Sequence, residues 1–98
     1  MAPKRYRLSP QARKDLEGIW LYTFKTWSRV QADGYYDELI AAVADLANGS
    51  KRGRMIDNIR SGYLSLSYGS HFIIYKQGAT GINVVRILHR RMNISRHL

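Results

Sequence analysis

The sequence predicts an α+β fold, a helical hairpin packed on one face of a small, mostly antiparallel four-stranded sheet. Three observations predict it. Residues 64–90 hold three apolar runs with strand-like patterning, parted by the glycine-bearing turns Gly69-Ser70 and Gly78-Ala79-Thr80-Gly81. Residues 9–48 hold two stretches in which apolar side chains recur every three or four positions. The link between those two stretches is short, so they fold back on each other as an antiparallel pair. A three-stranded meander cannot stand alone in water. One face must be covered, and only the first half of the chain can cover it.

Lys4 to Leu8 reads as a short edge strand, the fourth of the sheet. Tyr6 and Leu8 point one way, and the charged Arg5 and Arg7 the other, which discourages pairing with another chain. Ser9-Pro10 starts the first helix, with Ser9 as N-cap and Pro10 at the position where a missing N–H costs nothing. Ala12, Leu16, Ile19, Trp20, Thr23 and Trp27 make its inner face. Lys25 to Ser28 turns the chain. Ser28 and Gln31 make a capping box for the second helix. Its inner stripe is Ala32, Tyr35, Tyr36, Leu39, Ile40, Val43, Leu46 and Ala47, and Asn48-Gly49 stops it. Gly34 inside this helix costs about 1 kcal/mol relative to Ala, which points to a close approach of the two helices.

Asn48 to Asn58 reads as the one clear loop. In the meander, Leu64, Leu66 and Tyr68 alternate with serines, and Gly69-Ser70 suits a tight type II′ turn. His71 to Gln77 is aromatic and β-branched, and Ile82 to Arg90 is the last strand. Strict alternation puts Val85, Ile87 and His89 on one side of that strand. Val84, Arg86, Leu88 and Arg90 fall on the other. The pattern does not say which set meets the helices, and the sheet's second face reads as open. The tail Asn93 to Leu98 is too short for a stable helix unless it docks.

Ninety-eight residues make one domain with one modest core. No stretch approaches the roughly 18 apolar residues of a membrane-spanning helix. No secretory signal pattern stands at the N-terminus, so a cytoplasmic protein is expected. The absence of cysteine excludes disulfides and thiolate chemistry. Charge is lopsided. Residues 1–50 carry seven Lys/Arg and six Asp/Glu, whereas residues 51–98 carry nine Lys/Arg and only Asp57, net +8 of the total +9. A field of this shape favours anionic partners.

Chemistry is sparse. His71, His89 and His97 show no metal-ligand spacing, and no glycine loop opens a helix as a phosphate cradle. No cofactor is expected. The helix acids, Asp15 among them, read as solvated. One constellation remains, of Arg60, His71, Arg86, His89, Arg90 and Arg91 beside Tyr63, Tyr68 and Tyr75. Interleaved cations and rings on strands suit RNA. A metal-free ribonuclease would use His89 as acid or base and cations to stabilise the phosphorane. The plainer alternative is that these histidines and tyrosines are ordinary strand residues.

The segments carry a resemblance that runs nearly end to end. Leu8-Ser9-Pro10-Gln11-Ala12 leads through Ile19-Trp20 and Trp27 to Gln31-Ala32, Tyr36 and Leu39. Ile59-Arg60-Ser61-Gly62-Tyr63, Gly69-Ser70-His71 and Arg86-Ile87-Leu88-His89-Arg90-Arg91-Met92 follow in order. In this order they resemble the ParE branch of the RelE/ParE superfamily, the toxins of bacterial type II toxin–antitoxin pairs. The resemblance implies the same hairpin-on-sheet fold. It also implies a toxin that poisons DNA gyrase and is held inactive by a ParD-like antitoxin, acting as a protein inhibitor and not as an enzyme. The RelE branch instead cleaves mRNA on the ribosome, and this remains the alternative.

Two surfaces are expected from this reading. The target would meet the basic half through Lys51, Arg52, Arg54, Arg60, Arg86, His89, Arg90 and Arg91. The antitoxin would meet the hairpin's aromatic surplus, Trp20, Tyr22, Phe24, Trp27, Tyr35 and Tyr36, with Tyr22 and Phe24 partly exposed.

Overall fold

The computed structural model describes residues 5–98. The chain runs β1 (Arg5–Leu8), α1 (Pro10–Thr26), α2 (Arg29–Asn48), β2 (Arg54–Met55), β3 (Tyr63–Tyr68), β4 (His71–Gln77), β5 (Gly81–His89) and a 3-10 turn, η1 (Ile94–Arg96). Lys4, expected to open the first strand, lies outside the described residues.

The helix caps form at the expected residues, although at Ser28 and Gln31 the bond formed is the serine half of the expected capping box. Ser9 Oγ accepts from Ala12 N at 3.0 Å and donates to Val85 O at 2.7 Å, so one side chain caps α1 and ties it to the sheet. Ser28 Oγ accepts from Gln31 N, and Gly49 ends α2 in the left-handed conformation with φ 87°.

The sheet differs from expectation in two ways. It has five strands, not four, in the order β1-β5-β4-β3-β2, and it is mixed. β1 runs parallel to β5, pairing Arg5 to Gly81 through Leu8 to Val84, while the other neighbours are antiparallel. The fifth strand arises within the expected loop, where Arg54 and Met55 pair with Ser65 and Leu64. Gly53 makes this possible. Its N–H donates to Tyr75 Oη at 2.8 Å, and a Cβ there would stand 2.8 Å from the Ser65 carbonyl oxygen.

The last strand is bulged. Ile74 pairs with Arg86 but Tyr75 pairs with Val84, so Val85 is the extra residue. The bulge shifts the alternation by one. Ile82, Val84 and Ile87 therefore all join the helix-facing core with Leu16, Leu39, Val43, Ile73 and Tyr75. Neither set of strictly alternating residues on that strand describes one face. The second sheet face is not open throughout. Ile74 and Leu88 are buried there with Ile56, under Ile94 and Leu98 of the docked tail.

Candidate functional site: a groove under the helical hairpin

The outer half of the hairpin overhangs the sheet. Ala12 and Leu16 are buried, yet Trp27, on the same expected stripe, is 67% exposed. Between the overhang and the β4–β5 end of the sheet lies a groove of about 950 Å³. Tyr22, Trp27 and Val30 line its mouth, and His71, Ile87 and His89 its floor. Tyr22 is 68% exposed and Val30 82%. Such a group of large apolar side chains around a concave surface marks an interface.

Gly18 and Gly34 are in the groove wall. A Cβ at either would meet nothing within 4 Å. The close helix approach expected at Gly34 is therefore not what the glycine serves. Its missing side chain leaves open space in the groove.

The floor is polar and ordered. Tyr35 Oη lies 2.7 Å from His71 Nδ1 and accepts from Ser70 N at 3.1 Å. The β3–β4 turn packs directly against that hydroxyl, since a Cβ at Gly69 would come within 2.7 Å of it. Burial, and next the neighbouring His89, push His71 down to about 4, so the ring is neutral near pH 7. The His71 and His89 rings meet edge to face at 5.3 Å, and His89 Nδ1 accepts from Arg91 N at 3.1 Å. Burial raises the Tyr35 phenol above its usual value. Nearby, Tyr68 donates to Glu38 at 2.6 Å, a bond that raises the Tyr68 phenol.

The six hairpin aromatics do not act as one surface. Tyr22, Trp27 and Tyr35 line the groove. Trp20 stacks on Phe24 at 5.2 Å, and its indole N–H donates to Asp33 at 2.9 Å, on α2. Tyr36, placed on the inner stripe, is 37% exposed.

The basic set also divides. Arg86 is held by Asp15 through two hydrogen bonds of 2.8 and 2.9 Å, and it donates to His97 O at 3.2 Å. Asp15 also accepts from Ile87 N at 2.9 Å, on the stretch of β5 beyond the end of β1. Asp15 is therefore not solvated, as its place among the helix acids suggested, and the pair is largely buried. Lys51 stands over Tyr68 at 5.3 Å. Arg60 stands over Tyr63 at 5.4 Å and Arg90 over Phe72 at 5.8 Å, on the sheet side away from the helices. Arg52, Arg54 and Arg91 are exposed. Among the described residues no three His, Asp or Glu side chains converge as a metal-binding group.

Sequence reading missed Gly18, Val30 and Asp15. Val30 carried a signal, being an apolar residue outside the α2 stripe. Asp15 carried none, because its partner is 71 residues away.

Comparison with known proteins finds relatives of this chain along nearly its whole length. The family model described as "ParE toxin of type II toxin-antitoxin system, parDE" matches residues 6–94. The chain is 45% identical over 95 residues to "Toxin ParE1" of Mycobacterium tuberculosis, covering 96% of this chain and 97% of that one. It is 38% identical to "Toxin ParE1" of Caulobacter vibrioides, covering 97% and 98%. A solved structure described as "Chromosomal ParDE TA system from P. aeruginosa" superposes with a TM-score of 0.74. That match covers 89% of this chain and 96% of the other at 15% identity, and so speaks for the fold.

Proposed function

This chain belongs to the family of ParE toxins of type II toxin–antitoxin systems, and on that footing we propose that it arrests growth by poisoning DNA gyrase in the cytoplasm. The observation that carries the reading is the likeness to ParE toxins over almost the whole chain. Neutralisation falls to a ParD-like antitoxin. An amphipathic helix of that partner, disordered until bound, lies in the groove under the hairpin and covers Tyr22, Trp27 and Val30. Burying one such side chain fully is worth about 1.5–3 kcal/mol.

The toxin acts by binding and not by catalysis. An acid–base pair needs two groups that exchange protons near the working pH. His71 is held at about 4 and hydrogen-bonded to Tyr35, and Arg86 is committed to Asp15. These placements favour binding over RNA cleavage.

A supercoiling assay with purified gyrase tests the proposal. Excess toxin is expected to suppress supercoiling and accumulate cleaved DNA, and added antitoxin to restore activity. Full supercoiling at excess toxin, with no cleaved DNA, sinks the gyrase reading. Message cleavage at the ribosome, abolished by His89→Ala, would put the ribonuclease reading in its place.

A further inference from the structure

We infer that the sheet face opposite the helices is a docking surface for the phosphate backbone of double-stranded DNA, contacted by the toxin itself. Gyrase poisoning is not a premise of this inference. It comes from where the charges stand.

Nine Lys/Arg and one acid lie in residues 51–98. Among the described residues, only Arg86 of these nine cations forms an ion pair. Asp57, the one acid, accepts from Gly62 N at 2.9 Å. The remaining helix acids stand on the other side of the molecule. The far face therefore carries an excess of cations over acids, and, Arg86 aside, none of them is tied up in an ion pair among the described residues.

A pair of cations and a single arginine flank the docked tail. At one end Arg60 and Lys76 stand over the Tyr63 ring at 5.4 and 5.2 Å. At the other Arg90 stands over Phe72 at 5.8 Å, with Nη1 donating to Gly69 O at 3.2 Å. The ladder pairs Tyr63 with Lys76 and Ser67 with Phe72. The two sites are thus four strand residues apart, roughly 13 Å. That is about four base-pair steps of B-DNA at 3.4 Å each. Both arginines are exposed yet held by a ring, which lowers the entropy lost when they bind an anion.

The same contacts decide between nucleic acids. Single-stranded RNA is gripped by rings that stack on splayed bases. Here Tyr63 and Phe72 are half-buried and already covered by cations. What the face offers is fixed positive charge, and duplex DNA has the higher phosphate density.

The test is fluorescence anisotropy of the purified toxin with a labelled mixed-sequence duplex of about 20 base pairs, over a salt series. Binding is expected in the micromolar range at ~0.1 M salt. The triple variant Arg60→Glu/Lys76→Glu/Arg90→Glu should lose at least about tenfold in affinity and about three units of salt slope. The milder Gln triple keeps the test valid if the Glu variant misfolds by circular dichroism. The control Lys14→Glu/Lys25→Glu/Arg29→Glu makes the same charge change on the helices and should change affinity less than about threefold. An equal loss in the control, or no duplex binding, overturns the inference, as does tighter binding of a single-stranded RNA of equal length. The assay contains no gyrase, so its failure leaves the supercoiling result standing, and the converse holds.

Discussion

At the residue scale, Asp15 and His71 carry more than their neighbours. Asp15 joins α1 to the part of β5 that β1 does not reach, holding both the Arg86 guanidinium and the Ile87 N–H. Asp15→Asn keeps the size and one acceptor but faces an amide group toward a largely buried cation. We expect a loss of about 2 kcal/mol in urea unfolding, below the ~3–5 kcal/mol of a fully buried broken pair. Adding Arg86→Met should recover part of it, since the stranded cation is then gone. His71 supplies a pH dependence. In the folded protein it is pushed down to about 4 from the ordinary 6.5, so the unfolded chain binds the proton first. Stability is therefore intact above about pH 6.5 and falls as pH drops toward 4. The ring borders an open groove, which keeps the expected loss to about 1–2 kcal/mol. Melting temperatures at pH 7 and 4.5 should fall further in the parent than in His71→Asn; equal falls would assign the effect to the carboxylates.

At the element scale, what the sequence made legible was local. Helix caps at Ser9, Ser28 and Gly49 and the meander's turns are signals within a few residues, and each element formed where they stood. Non-local features were not legible. The parallel pairing of β1 with β5 joins residues some 76 positions apart, as Arg5 to Gly81 illustrates. The bulge at Val85 leaves no mark in the sequence, because Val84 and Val85 are alike and either could take the inward place. β2 is two residues long and exposed, so its burial pattern carries no period. Gly34 was visible but ambiguous, because an absent side chain serves a tight helix crossing and an open groove equally. The two now separate by experiment. With open space at the Cβ, Gly34→Ala should stabilise the toxin by about 0.5–1 kcal/mol, the helix-propensity gain alone. Gly34→Leu should stay folded but weaken antitoxin binding at least about tenfold by calorimetry, about 1.4 kcal/mol. Unchanged affinity on a folded protein would move the antitoxin out of the groove.

At the scale of the whole molecule, two unlike surfaces stand on opposite sides of one sheet. The groove side is aromatic and carries most of the acids; the β2 edge and far face carry the uncancelled charge. On the proposed reading, this separation would let one partner neutralise the toxin through the groove while the basic side drives approach to an anionic target. Lys51, Arg52 and Arg54 test that division at the β2 edge. All three are exposed, Lys51 resting over Tyr68 and Arg54 standing on the sheet's edge strand. Reversing all three to Glu takes the net charge from +9 to +3. Surface charge acts on association within a Debye length, about 8 Å at physiological ionic strength. The triple variant should then need about tenfold more protein for half-inhibition of supercoiling at low salt. The gap should narrow as salt rises, because screening removes from the parent what the reversal removed from the variant. A gap that persists undiminished at high salt would mean these side chains make short-range contacts with the target. No gap at any salt, with circular dichroism unchanged, would leave the β2 edge merely solvated and confine steering to the far face.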